Sequence, residues 1–289
     1  MPPADPAAID VHVHLTRYWR DLERTAYRTP IDYTVRGLLA EMDDAGISDA
    51  LAIPVHHVPS AAAGIEEETE LVRASGGRLH AVATVDPTQG AYAVEEAVAA
   101  WDAVADLAAI KLFPGYQAFY PSDPRLAPVY ALARRRKIPV LIHQGDTLEP
   151  RGLLKFARPL AVDEVAVEHP DVAIVLCHFG NPWIEEAAEI VYKNANVYAD
   201  TSGLFGPPSA PLYPRLLKSL GRRITEAIES IGHADRILYG SDWPLGSLRA
   251  AVDFVRSLDL SEADRRAILG ANARRLFGWP ARSGERNTP

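Results

Sequence analysis

Cysteine is almost absent from this chain. Cys177 is the only one in 289 residues, which excludes a disulfide framework and any Cys-x-x-Cys metal or redox site. Basic residues are also in deficit, with 30 Lys plus Arg against 38 Asp plus Glu and a net charge of −8. A dedicated nucleic-acid or anionic-membrane binder needs a basic face, so neither class is expected. No apolar run approaches the roughly 20 residues that span a bilayer. The first residues, Met-Pro-Pro-Ala-Asp, lack the basic region and apolar core of a secretory signal, and a cytoplasmic location is the expectation. The interior has no Gly/Ser linker, charge block or low-complexity tract. One domain over residues 1–280 is expected, with a frayed polar tail at 281–289.

What is present is an ordinary globular balance, 48% hydrophobic and 24% charged, arranged in regular alternation. Short apolar runs occur at Ile9–His14, Ala50–Val55, Leu79–Val85, Ala108–Phe113, Pro139–His143, Val172–His178, Val197–Thr201 and Ile237–Ser241. Near-continuous apolar runs of this length suit parallel strands buried on both faces. Amphipathic stretches with capping signals lie between them, including Thr34–Ala45 before Gly46, Ala93–Leu107, Asp123–Lys137 and Ile184–Asn194. Leu248–Leu258 and Ser261–Phe277 follow the eighth run. Eight such units make either a closed (β/α)8 barrel or a large doubly wound sheet, and the count of eight favours the α/β TIM barrel, here with an extra C-terminal helix.

In such a barrel the chemistry sits at the C-terminal ends of the strands. The first run ends with Asp10, His12 and His14 at i, i+2 and i+4. Strand alternation places all three on one face, roughly 6.5–7 Å apart in succession. The fourth run carries Lys111 among apolar neighbours, the fifth ends at His143, the sixth at His178, and Asp242 follows the eighth. Four of the nine histidines therefore sit at three strand ends, with a carboxylate at a fourth. Neutral imidazoles with one Asp suit a borderline divalent metal, Zn²⁺ first, with Mn²⁺, Fe²⁺ or Co²⁺ as alternatives. Three histidines and one aspartate leave a coordination position for water, the mark of a catalytic site.

The ordered set Asp-Val-His-Val-His, Ile-Lys-Leu-Phe-Pro-Gly-Tyr-Gln, Leu-Ile-His-Gln-Gly, Cys-His-Phe-Gly, Gly-Ser-Asp-Trp-Pro and Asn-Ala-Arg-Arg-Leu-Phe-Gly resembles the amidohydrolase superfamily. The match is to its amidohydrolase-related branch of metal-dependent hydrolases and decarboxylases, and it runs from about Ile9 to Gly278. The resemblance implies one metal held near His12, His14, His143 and Asp242, with His178 as a catalytic acid/base or carbonyl polariser. Lys111 stands where binuclear members carry a carbamylated bridging lysine. In that arrangement His143 and His178 would serve a second metal.

Other residues carry weaker signals. Asp10 lies one pleat deeper and reads as an acceptor that orients a neighbour. Cys177, alternating with His178, is expected to point into the helix layer as core packing. Lys111 reads as a cation for a substrate carboxylate, a bridge or an ion-pair partner. His56 and His57 either line the pocket or form a solvated loop pair. Arg17 and Arg20 are candidates for holding an anionic substrate. Tyr116, Phe119 and Tyr120 either stack on a planar substrate or pack the loop. Ser202–Pro214 is a lid candidate. His80, His169 and His233 fall at the opposite end of the barrel.

The function expected from this pattern is hydrolysis of an ester, lactone or amide in a small molecule. A metal lowers the pKa of its water, Asp242 moves the proton and His178 supports the oxyanion. The alternative on the same site is non-oxidative decarboxylation of an aromatic or enol carboxylate. Barrel-type DNases share the Asp-x-His-x-His start but carry glutamate where this chain has Lys111, and the net charge of −8 offers little to phosphates. A homodimer is a further expectation from related barrels.

Overall fold

The computed structural model describes residues 7–19, 26–28, 30–204 and 213–280. Eight parallel strands follow one another in a single sheet: β1 (Ala8–Val13), β2 (Ile47–Ala52), β3 (Leu79–Thr84), β4 (Leu107–Leu112), β5 (Val140–Ile142), β6 (Ile174–Leu176), β7 (Val197–Asp200) and β8 (Ile237–Leu238). The chain after β8 reaches back to β1. Val11 N–H donates to Tyr239 O at 3.0 Å, Asp242 N–H to His12 O at 2.9 Å and His14 N–H to Trp243 O at 2.6 Å. These bonds close the sheet into a (β/α)8 barrel.

Helices α1 (Val35–Ala45), α2 (Ala61–Ala74), α3 (Ala91–Asp102), α4 (Ala127–Arg136), α5 (Ala161–Glu168), α6 (Ile184–Lys193), α7 (Tyr213–Ile231) and α8 (Leu248–Ser257) alternate with the strands. The sequence dictates α1 locally. The Thr34 hydroxyl accepts from Gly37 N–H at 3.1 Å, and Leu38, Met42 and Ala45 recur on one buried face. Gly46 then stops the helix at φ 76°, a left-handed conformation that glycine adopts without steric cost. After α8 come α9 (Glu262–Arg266) and α10 (Asn272–Phe277), joined by a π-helical turn over Ala267–Ala271. The expected unbroken helix over Ser261–Phe277 is thus interrupted, and at that turn Ile268 O accepts from Tyr239 N–H at 3.0 Å.

Strand side chains divide between two packing layers. One faces the helices; the other fills the barrel with Ile9, Val11, Leu51, Ile53, Val82, Ala109, Leu141, Val175, Cys177 and Leu238, and with Ala273 of α10 packed against them. Two expectations fail here for local reasons. The β1–β2 register shifts between Asp10 and Val13, so alternation along β1 is broken. Val11 packs in the interior cluster, and its neighbour His12 still reaches the cavity. The simple picture of Asp10, His12 and His14 on one face is therefore incorrect, and Asp10 lies outside the cavity wall. Cys177 does not point into the helix layer but continues the inward series of Val175.

The lid candidate falls mostly on residues 205–212, outside the described residues, as do Arg20 and the tail at 281–289. Among the described residues no helix is long and apolar enough to cross a membrane.

Candidate active site

Strands β1, β4, β5 and β6 and the turns after them converge on a cavity of about 630 Å³ at the C-terminal end of the barrel. His12, His14, Lys111, His143, His178 and Asp242 all line it. The backbone after β6 explains how His178 arrives there beside an inward Cys177. His178, Phe179 and Gly180 are all left-handed, at φ 61°, 45° and 60°. That conformation is rare for residues with a Cβ, and it turns the chain so that alternation no longer governs where His178 points. Asp242 is left-handed too, at φ 62°, and its N–H is held by His12 O.

Hydrogen bonds at the far ring nitrogens set how the imidazoles present themselves. His14 Nδ1 lies 2.9 Å from Ile53 O, so it carries the proton and leaves Nε2 with a lone pair. His12 Nδ1 lies 3.1 Å from Asp200 Oδ2, with the same consequence. The two Nε2 atoms then face Asp242 Oδ1, at 3.5 Å from His12 and 3.4 Å from His14. His143 Nε2 donates to Asp146 O at 3.0 Å, which aims its Nδ1 at His178 Nε2, 3.0 Å away.

Burial reinforces this state. It lowers the His12 pKa to about 3, with help from the charge of Lys111, and lowers His143 and His178 as well, so all three favour the neutral ring. Donor atoms of His12, His178 and Asp242 lie within 4.8 Å of one another. Lone pairs turned towards a carboxylate, without protons between them, are repulsive unless a cation joins them. This donor set fits a divalent metal. His178, expected as an acid/base group, has its donor atom inside the same cluster.

Lys111 is fully buried. Its ammonium donates to Cys177 Sγ at 2.9 Å and lies 3.4 Å from His12 Nε2, with the Phe113 ring 5.2 Å away. Asp10 Oδ1 accepts from the N–H groups of His12 and Ser241 at 3.0 and 3.1 Å, tying β1 to the segment after β8. Burial raises its pKa to about 7.

Asp200, at the end of β7, was missed by the sequence reading. It is fully buried, and besides His12 it accepts from the N–H groups of His178 and Ser202 at 2.9 and 3.0 Å and from the Ser202 hydroxyl. Burial opposes its ionisation, yet His12 and the other donors hold its pKa below the usual carboxylate range. The signal was available: the seventh run reads Val-Tyr-Ala-Asp-Thr-Ser, a carboxylate at a strand end like the others.

The rim candidates separate clearly. His56 lines the cavity and stacks on Tyr116 with centroids 4.8 Å apart, and Tyr116 meets His143 edge-on at 4.8 Å. Trp19 and Phe113 extend this ring wall. His57 is exposed and bonds Tyr18 O at 2.8 Å. Arg17 does not reach the cavity. Its guanidinium pairs with Glu70 at 2.7 Å and with Glu67 at 3.4 Å, so local carboxylates on α2 take the charge proposed for a substrate anion. Phe119 is buried in the outer core, and Tyr120 meets Phe156 at the surface.

Comparison with known proteins agrees with this architecture. The family model described as amidohydrolase matches residues 9–279. A gamma-resorcylate decarboxylase from Rhizobium sp. is 28% identical over 193 residues, which is 57% of this chain and 54% of that protein. The chain spans about half the length of the curated relatives it matches. Among solved structures, a dihydroxybenzoic acid decarboxylase from Polaromonas sp. with bound manganese and 2-nitroresorcinol superposes with a TM-score of 0.69 at 18% identity, covering 94% of this chain and 97% of the other. A zinc-bound amidohydrolase from Burkholderia multivorans gives 0.68 at 19% identity, covering 95% and 100%. Matched over nearly its whole described length, the chain belongs to the amidohydrolase family of TIM-barrel enzymes.

Proposed function

We propose that this enzyme is a metal-dependent, non-oxidative decarboxylase of an aromatic hydroxycarboxylate. Hydrolysis was the first expectation from the sequence, and the relatives with printed activities shift the weight to the alternative. The observation that carries the reading is a pairing inside one cavity. The donor cluster of His12, His178 and Asp242, with His14 Nε2 3.4 Å from Asp242, shares about 630 Å³ with a wall of flat rings formed by His56, Phe113 and Tyr116. A planar substrate with one charged edge fits that division, because rings stack on rings while a carboxylate seeks the cation end.

His12, His14 and Asp242 would hold the metal, with His143 beside them. When bound, the metal supplies Lewis acidity towards the oxygens of the carboxylate and a neighbouring hydroxyl. The residues of the chain then have distinct tasks. The ring wall holds the substrate plane and excludes water from the reacting carbon. His178 and Asp242 line the same end of the cavity; this pair would take up one proton from solvent and pass it to the ring carbon. As the carbon–carbon bond to the carboxylate breaks, its electron pair returns to the ring and carbon dioxide leaves.

The test is a screen of the protein loaded with Zn²⁺ or Mn²⁺ against hydroxybenzoates, esters and lactones, reading carbon dioxide and new acid separately. Release of carbon dioxide with a phenol, and no new acid from esters or lactones, supports the reading. Acid release from an ester or lactone with no carbon dioxide from any hydroxybenzoate restores the hydrolase.

A further inference from the structure

Beneath the donor cluster, one side chain touches both β1 and β6. Asp200 Oδ2 lies 3.1 Å from His12 Nδ1, and its Oδ1 accepts from His178 N–H at 2.9 Å. The Ser202 hydroxyl contacts Asp200 Oδ1 and lies 2.9 Å from both His12 Nδ1 and His178 Nδ1. All these atoms except those of His178 belong to fully buried residues.

Proton counting fixes the direction of each bond. An ionised carboxylate only accepts, and a serine hydroxyl has one proton. That proton goes to Asp200, because a hydroxyl oxygen in contact with a carboxylate without a proton between them is repulsive. Ser202 Oγ can then only accept from His178, so His178 Nδ1 carries a proton. His12 Nδ1 donates to Asp200 directly. The order is therefore His178 Nδ1–H to Ser202 O–H to Asp200, with His12 Nδ1–H meeting the same carboxylate from the other side. It leaves the lone pairs of His178 Nε2 and His143 Nδ1 facing each other at 3.0 Å, a contact that requires the shared cation.

We infer that Asp200 and Ser202 are positioning residues that set the tautomers of His12 and His178 together, so that both rings turn an Nε2 lone pair towards the metal cluster. Asp200 acts on both rings, whereas Ser202 acts on His178 and touches His12 only as a second acceptor. The backbone contact adds to this, since the bond from His178 N–H secures the left-handed turn that brings its ring into the cavity. The inference rests on the metal reading of the site and is independent of which reaction follows. Outer partners of metal-bound histidines commonly change affinity by about 10–100-fold on mutation.

The experiment compares the parent, Asp200→Asn and Ser202→Ala as full chains. Nitrogen-15 spectra of the histidine side chains, recorded with and without Zn²⁺, report which ring nitrogen holds the proton. Titration with Zn²⁺ against a chromophoric chelator reports affinity. Thermal melting identifies a variant that fails to fold. Ser202→Ala is expected to release His178 from its Nδ1–H form while His12 keeps its own, with a modest loss of affinity. Asp200→Asn is expected to disturb both rings and weaken Zn²⁺ binding on the order of 10–100-fold. Unchanged tautomers in a folded Ser202→Ala protein overturn the inference even if Asp200→Asn does not fold. A parent that binds no Zn²⁺ defeats the metal reading instead, and the tautomer spectra still decide whether the pair sets the two rings.

Discussion

Gly203 lies directly against His178. It is left-handed at φ 61°, and a Cβ built on it would overlap the His178 imidazole at Nδ1 and fall 3.1 Å from Asp242 Oδ2. Two of the groups given chemical roles are thus packed against a residue that has no room for a side chain. Gly203→Ala must displace the His178 ring or the Asp242 carboxylate, and a shift of about 1 Å at a reacting group costs on the order of 100-fold in rate. Turnover is expected to fall by that order, and the melting temperature should fall as well, because alanine is strained at this φ. An alanine variant with parental turnover would show that the His178 position is not critical.

His12 contributes a donor to the cluster from a fully buried position. His12→Ala is expected to lose metal and activity together, measured as metal atoms per chain after dialysis. The folded signal should persist, because the removed ring sits at the cavity floor and not among the helices. A variant that keeps one metal per chain places the site elsewhere.

Tyr116 offers a test of the ring wall that leaves the cluster alone. It packs on His56 and His143, and its hydroxyl accepts from Leu148 N–H at 3.0 Å. An aromatic pair contributes about 0.5–1.5 kcal/mol beyond burial, so Tyr116→Ala should raise KM for an aromatic carboxylate by roughly 3–10-fold or more. Metal content should stay at the parental level. Tyr116→Phe keeps the ring and should lie close to the parent. If the phenylalanine variant is as impaired as the alanine one, the hydroxyl rather than the ring plane governs binding.

Glu68 on α2 gives a prediction about stability. It is fully buried and accepts from Val82 N–H at 3.3 Å. Burial raises its pKa well above the ordinary carboxylate value. The unfolded chain therefore loses this proton at lower pH than the folded one, so folding stability falls as pH rises through the window between the two values. Below the unfolded value the penalty vanishes. Glu68→Gln keeps an acceptor for Val82 and removes the penalty, so it should melt higher than the parent at pH 7 and match it near pH 4. Equal melting temperatures at pH 7 would show that Glu68 ionises in the folded protein at no cost.

Sequence patterns placed the eight strands and brought His12, His14, His143, His178 and Asp242 to one end of the barrel. Those residues were legible because each sits at the end of an apolar run. The errors came where the backbone leaves its regular period. A register shift inside β1 broke the alternation of Asp10, His12 and His14, and a left-handed turn at His178 brought its ring into the cavity beside a Cys177 that keeps the inward alternation of Val175. Neither feature has a strong local signature in residue types. Asp200 is a different case, since its strand-end position was visible but one acid among 38 Asp plus Glu gives no sign of the partners it meets. Arg17 shows the converse, a plausible anion ligand whose charge is taken up by Glu67 and Glu70 on a neighbouring helix.

The most direct test of the central claim is metal-dependent release of carbon dioxide. Purified protein is stripped of metal, reloaded with Mn²⁺ or Zn²⁺, and given 2,6-dihydroxybenzoate and related hydroxybenzoates. The account predicts carbon dioxide and the matching phenol in equal amounts, none from stripped protein and none from His12→Ala. Equal turnover with and without metal, or acid release from esters and lactones with no carbon dioxide from any hydroxybenzoate, would contradict it.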